Sequence, residues 1–484
     1  MSGGGPVNTP LSAAGQPRRP TIGVLPCYLE LYDEILDEDA TRSAKAFTDV
    51  IQAEYEGRNV GVVAAPACRN SREFGEAVAA FEAAEVDAIV TLHLAYSPSL
   101  ESIDAICSTD LPVLVLDTTP DFSFGFAQTE DRILFNHGIH GVQDFCNLLS
   151  RRDRQFSIDA GHWKESDVID RTVSTIRGIS AAKGFRNQRV GIVGRPFHGM
   201  GDFAVTFDQL EERFGITVVE ATSDSIAKLM PAADSDDVRE EIESDLDRFE
   251  VAGLPRASHP ESVAAGLGLR QWIVEESLAA MTFNFRDITG RPGLPVVPFL
   301  EASKAMARGI GYAGEGDVLT AALCAAVARV NRETTFTEMF CPDWEGGLIF
   351  MSHMGEVNID ITASKPVLEL RPYPFSEADQ PVIAAGCLRP GAAMLLNVAP
   401  GHGNTFALIA VPVEVCDNSG DESIRTGIRG WIKPSMEIAD FLEHYSRAGG
   451  THHCIVSYDI DLRFAQGFAS ALGWAFTVIG SEGD

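Results

Sequence analysis

No Cys-x-x-Cys pair occurs anywhere in these 484 residues. The nine cysteines stand singly, and their number is odd, which excludes a disulfide framework and points to a reduced, intracellular protein. Basic residues are scarce, 38 Lys and Arg against 69 Asp and Glu, for a net charge of −31. Such a field repels nucleic acid and anionic membrane, so neither is expected as a partner. No apolar run is long enough to span a bilayer. The first 19 residues are rich in Gly, Pro, Ser and Ala and lack an apolar core segment, so residues 1–20 read as a disordered tail and not a signal peptide. These absences together predict a cytoplasmic location. Internal repeats are lacking too, and 484 residues exceed one hydrophobic core, so two or three dissimilar domains are expected.

What is present is alternation. Short apolar runs such as Thr21-Ile-Gly-Val-Leu-Pro26 and Pro112-Val-Leu-Val-Leu-Asp117 alternate with stretches of helical spacing. That pattern predicts a doubly wound parallel α/β domain over 21–187, with a long helix over 129–151. His93, Tyr96 and Ser97 follow a strand end, where such sheets bind ligands. A second Rossmann-like α/β block is predicted over 188–331, including an acidic helix from Asp234 to Glu250 that reads as a solvated face. After residue 331 several β-rich runs follow closely, divided by Pro and Gly. Residues 332–484 are therefore expected to form a C-terminal antiparallel β-barrel-containing domain.

Four residues carry the chemistry. Glu315 lies between two glycines at the entry to an apolar helix, which leaves its carboxylate uncrowded; a plain helix-dipole role is the alternative. Glu338, flanked by Phe, Thr, Met and Phe, is poorly placed for a solvated face and needs a partner or a ligand. His353 ends a predicted strand, where a hydrogen-bonded core histidine is the alternative. Of the pair His452-His453, strand alternation lets only one face a given site. Two carboxylates with one or two imidazoles form a mixed O/N donor set that suits Mn²⁺, with Co²⁺ or Mg²⁺ as substitutes. His137, His140, His162, His198 and His402 occupy other glycine-flanked contexts. The loop Gly194-Arg-Pro-Phe-His-Gly-Met-Gly201 follows a strand but lacks the spacing of either nucleotide fingerprint.

Gly311-Tyr-Ala-Gly-Glu-Gly-Asp317, Thr335-Phe-Thr-Glu338, Ser352-His-Met-Gly-Glu-Val357 and Gly450-Thr-His-His453 resemble, in order, the motifs of the L-arabinose isomerase family. The resemblance implies an aldose–ketose isomerase acting on L-arabinose or a related pentose, hexose or modified sugar. It implies Mn²⁺ held by Glu315, Glu338, His353 and His453, with the two glutamates as the acid/base pair. By the same matching His140, Met200, Phe285 and Leu29 take substrate-pocket positions. A homotrimer or homohexamer is implied, with His140 lent across subunits. The family's loop glutamine is replaced here by Leu29, and its usual cysteine by Asn358. A sugar epimerase, or a non-catalytic sugar-binding protein, are the other readings of the same scaffold.

Overall fold

Leu114 and Leu116 lie on one face of the run Val113–Asp117, and Val113 and Val115 on the other; each pair is buried in a different core cluster. A strand with both faces apolar needs helices on both sides, which is the parallel α/β arrangement. The computed structural model describes residues 17–480 except 36–37, 130–131, 252 and 418–427. It forms two compact units, Arg18–Lys183 with Ile460–Thr477, and one built on Gly184–Asp459.

In the first unit, β1 (Thr21–Cys27), β2 (Gly61–Ala64), β3 (Ala88–His93), β4 (Val113–Asp117) and β5 (Ser157–Ala160) form a parallel sheet in the order β2-β1-β3-β4-β5. The expected tail lies outside the described residues as far as 16; Arg18 is anchored to the buried Asp87 at 2.7 Å. The long helix expected over 129–151 is broken. It runs as Ile133–Asn136 and Gly138–Arg151, with His137 out of helical geometry between them. Gly138 sits so close to the end of β3 that a Cβ would lie 2.3 Å from the His93 carbonyl oxygen, and the chain turns to make that approach.

The second unit holds β6 (Arg189–Val193), β7 (Thr217–Ala221), β8 (Glu250–Val251), β9 (Ala280–Phe283) and β10 (Gly311–Gly314). Four of them form a parallel sheet, β10-β9-β6-β7. The acidic helix is Asp236–Arg248, and its inner face is not solvated as expected. Glu241 and Asp245 turn inward to Arg270, Lys304 and His259: Arg270 takes Glu241 at 2.7 and 2.8 Å and Glu301 at 2.7 and 3.0 Å, and His259 lies 2.8 Å from Asp245. Lys304 bonds Glu241 at 2.9 Å and Asp245. Burial alone would raise the Glu241 carboxyl, but Arg270 and Lys304 outweigh it and hold it at about 2.

Eight further strands of this unit are β11 (Thr334–Asp343), β12 (Leu348–Ser352), β13 (Val367–Leu370), β14 (Val382–Cys387), β15 (Gly391–Pro400), β16 (Phe406–Val415), β17 (Ile428–Pro434) and β18 (His453–Tyr458). Six of them close an antiparallel barrel, β15-β18-β11-β12-β17-β16 and back to β15. Its interior holds Ile349, Met351, Leu395, Val411 and Val456 among others. Two runs expected in the barrel stay outside the ring. β13 pairs with β14, and its other edge runs parallel to β8, which belongs to the preceding α/β segment. Among the described residues no helix is long and apolar enough to cross a membrane, and all nine cysteines are free.

Candidate metal and active site

The barrel register puts Glu338 on β11 directly opposite His453 on β18, and opposite Ser352 on β12. His353 follows Ser352, so three neighbouring staves deliver Glu338, His353 and His453 to one end of the barrel. His353 Nε2 lies 4.0 Å from Glu338 Oε2. Phe336, two residues before Glu338 and hence on the same strand face, fills the space beneath. Its ring meets His353 at 4.8 Å and His453 at 5.0 Å, edge-on to both. Phe203 stacks on His453 from another side at 5.2 Å.

Glu315 comes from the tip of β10. Its backbone φ is 63°, a left-handed conformation that a glutamate adopts only when its surroundings hold it there. Three bonds hold this turn: Phe197 N–H donates to the Glu315 carbonyl at 2.9 Å, Gly316 N–H to Thr282 Oγ1 at 3.0 Å, and Thr282 Oγ1 to the Gly314 carbonyl at 3.3 Å. The loop 194–201, which has no nucleotide spacing, thus serves as a wall of this site. The two flanking glycines work differently from the expected uncrowding of the carboxylate. A Cβ at Gly314 would lie 2.5 Å from His353 Cε1 and 2.8 Å from its Nε2, and one at Gly316 would lie 2.6 Å from the Pro196 backbone. They make room for an imidazole and for a loop.

Glu315 Oε2 lies 3.6 Å from His453 Nε2 and 3.7 Å from His452 Nε2. Both members of the histidine pair therefore reach the same carboxylate, against the expectation that only one would. His452 precedes the first residue of β18, so strand alternation does not constrain it. Asp202 fixes it, accepting from its backbone N–H at 2.9 Å and lying 2.6 Å from Nδ1. Burial opposes charge on His452, but Glu315 and Asp202 prevail and raise it to about 9.

The ring nitrogens show what the cluster is missing. His353 Nδ1 is 2.8 Å from Glu356, and His453 Nδ1 is 3.0 Å from Asp317. A carboxylate on one nitrogen sets the tautomer and aims the other. Both Nε2 atoms are buried and have no hydrogen-bond partner. Buried polar atoms are rarely left so. Two sets of side chains place their ligand atoms within 4.8 Å of one another, Glu338 with His353 and His453, and Glu315 with His452 and His453. The donors, the carboxylate-braced imidazoles and the orphaned nitrogens all fit a divalent cation. Glu356 is itself braced by the Tyr312 hydroxyl at 2.5 Å, and Asp317 does double duty, its Oδ1 capping the helix Val318–Ala328 through Thr320 N–H at 2.9 Å.

The environments of the two glutamates differ. Burial raises Glu338, and the imidazoles do not offset it. Burial also opposes ionisation of Glu315, but His452, His353 and His453 outweigh it and lower the carboxyl.

Of the other expected residues, Phe285 follows β9 in a short 3₁₀ turn, and its ring is 5.7 Å from Phe197. Met200 N–H lies 3.5 Å from the Phe197 carbonyl. His140 and Leu29 belong to the other unit. There His140 is 5.2 Å from His137, which meets the Tyr32 hydroxyl at 2.8 Å, and Leu29 packs on the core beside β1. Sequence reasoning gave no role to Asp202, Asp317 or Glu356, and weighed His452 only as the alternative to His453. Glu356 and Asp317 sit within the quoted motifs, so a carboxylate three residues beyond a histidine was the available signal for the first.

Residues 333–474 match the L-arabinose isomerase C-terminal domain, and residues 198–333 match the L-arabinose isomerase central domain, more than half of the chain between them. The chain belongs to the L-arabinose isomerase family. An L-arabinose isomerase of Nocardioides sp. is 27% identical over 82% of this chain and 81% of its own length. One of Herpetosiphon aurantiacus is 26% identical over 79% and 78%, and one of Aeromonas salmonicida 27% over 81% of each. Among solved structures, the arabinose-binding component of a Shewanella transporter is 14% identical over 63% of this chain and 84% of its own, and its TM-score of 0.17 carries no argument. Family membership makes the protein an enzyme, an aldose–ketose isomerase.

Proposed function

We propose that this isomerase works on L-arabinose or a closely related aldose, at a divalent-metal site formed by Glu315, Glu338, His353 and His453. The observation that carries the reading is the pair of orphaned, carboxylate-braced Nε2 atoms facing two glutamates. A cation held by these four residues, Mn²⁺ by the O/N donor set, would supply the positive charge that polarises the substrate carbonyl.

The side chains do the rest. Aldose–ketose interconversion moves one proton between C2 and C1 and another between O1 and O2, through a cis-enediolate of the sugar. Two carboxylates reach one small volume from β10 and β11, so one can take the carbon proton while the other serves the oxygens. His452 is raised by Glu315 and Asp202 together, which places a second positive group on the oxyanion side. Phe336 and Phe203 set apolar rings against the site's imidazoles, which limits water around the reacting atoms. Assembly as a trimer or hexamer, a site shared between subunits and a cytoplasmic location belong to the same proposal. Of residues 399–424, which do not follow the family's motif pattern, 418–424 lie outside the described residues.

The test is a panel of aldopentoses and aldohexoses incubated with enzyme and Mn²⁺ in D₂O, followed by NMR. Ketose formation with deuterium at C1 is expected; an aldose product epimeric at one carbon would favour epimerisation instead. A second outcome concerns the metal. Gly314→Ala drives a methyl into the His353 imidazole, and Mn²⁺ affinity, measured by calorimetry, is expected to fall roughly 10–100-fold. Unchanged affinity would remove His353 from the site.

A further inference from the structure

Among the tyrosines, hydroxyl partners are found for Tyr32, Tyr55, Tyr96, Tyr312, Tyr445 and Tyr458. The hydroxyl of Tyr373 is buried and has none. The residue is only 8% exposed. It lies between β13 and β14, in Arg371-Pro-Tyr-Pro-Phe-Ser376, the segment that stays outside the barrel ring. The segment is tied down nearby, with Ser376 Oγ donating to the Ile288 carbonyl at 2.5 Å and Asp379 N–H to the Pro295 carbonyl at 2.8 Å.

Three phenylalanines hold the ring edge-on: Phe299 at 5.1 Å, Phe375 at 5.4 Å and Phe285 at 5.7 Å. None of them offers a hydrogen bond. Phe285 leads on to Phe197, whose N–H holds the Glu315 carbonyl. The charges that act on the hydroxyl are the carboxylates of Glu356 and Glu315, which, after burial, hold it in its protonated form. It is therefore a donor, linked to the Glu315 turn through Phe285 and Phe197 and bonded to neither catalytic glutamate. A tyrosine that served packing alone would be better replaced by phenylalanine, because a desolvated hydroxyl without a partner is destabilising.

We infer that Tyr373 is a specificity-determining residue, whose hydroxyl donates a hydrogen bond to an oxygen of a polyhydroxylated substrate, on the side away from the carbons that exchange the proton. The inference rests on the isomerase site proposed above. It gives this chain a polar contact with the far part of the sugar, where discrimination between aldoses is made. Sites built to bond a substrate hydroxyl reject analogues that lack it far more strongly than apolar pockets reject a change of size.

The test uses the full-length protein with Mn²⁺, and the pentitols and hexitols that correspond to the aldose panel, titrated by calorimetry. Tyr373→Phe keeps the ring and its three contacts, so Mn²⁺ binding is expected to match the parent. Affinity for the polyol that binds best is expected to fall about tenfold, the worth of one such bond. That loss should vanish for one monodeoxy analogue of the same polyol, and kcat on the matching aldose should stay within about threefold while KM rises. Equal polyol affinity in parent and variant overturns the inference, as does an equal loss across all the deoxy analogues, which a merely structural role would give. If the parent binds polyols and the variant does not, while neither makes ketose, the tyrosine's role stands and the isomerase reading falls. If the parent binds no polyol at all, the inference falls, and the isomerase reading stands or falls on ketose formation.

Discussion

Glu338→Gln is expected to lower kcat by about 10²–10⁴-fold, with the barrel intact. The substitution keeps the shape of the side chain and one oxygen that can face a cation, and it removes the ability to take a proton. The strand position does not change, since Glu338 is placed by backbone pairing with β18 and β12 and not by its own hydrogen bonds. Phe336 and Met339 keep their faces of β11 for the same reason. Loss of one negative charge from a set of two carboxylates also weakens the hold on a cation. The rate must therefore be measured at saturating Mn²⁺, with bound metal determined on the same sample. Retention of a tenth or more of the parent turnover at full occupancy would remove Glu338 from the proton transfers. A loss that is fully restored by added metal would make it a ligand only.

The second large effect is on stability. Arg270→Leu should destabilise the Gly184–Asp459 unit by about 3–5 kcal/mol, the usual result of breaking a buried ion pair from one side. Arg270 is the hub of the network described above, forked between Glu241 and Glu301. Glu301 is 3% exposed and would be left with Arg308, while Glu241 would keep Lys304. Uncompensated carboxylates in the interior are the source of the loss. Trp272 lies two positions along the same helix, Ser258–Glu275, so its fluorescence in a urea titration reads the transition locally. A midpoint corresponding to less than about 1 kcal/mol of change would show that the network relaxes to water. In the parent protein the network yields from the acid side. The Glu241 carboxyl is depressed when folded, so its contribution is complete above the ordinary carboxylate pKa of about 4.3. It is lost as pH falls from there through about 2.

This network also shows where sequence reading stops. Spacing alone identified the acidic helix, but the seven acids of Asp236–Arg248 look equally solvated until Arg270, Lys304 and His259 are placed beside two of them. The parallel sheets were legible because burial on both faces leaves continuous apolar runs. β11 was hidden, because Thr334-Thr-Phe-Thr-Glu338 is polar by composition, although its first four residues are buried. β13 and β14 have ordinary strand sequences, and nothing local says that β13 pairs with β8 rather than entering the ring. In the site, Glu315, Glu338, His353 and His453 stood out as residue types in short unusual contexts. Their supports did not: Asp202 meets a histidine 250 positions away, and Asp317 one 136 away. Such pairings carry no local pattern. Tyr373 is the extreme case, since what marks it is the absence of a partner in three dimensions.

The order of the staves around the barrel sets a schedule. β18 is inserted between β15 and β11, yet it is the last of the six to leave the ribosome. Until residues 453–458 are available, β11 has no neighbour on that side, and the ring cannot close. The same strand brings His453, the residue common to both clusters of candidate donors. A nascent chain therefore carries Glu315, Glu338 and His353 for about a hundred residues of synthesis without a competent site. Closure of such distant contacts is intrinsically slow. At the metal site proposed above, the full donor set would come together only as the barrel seals.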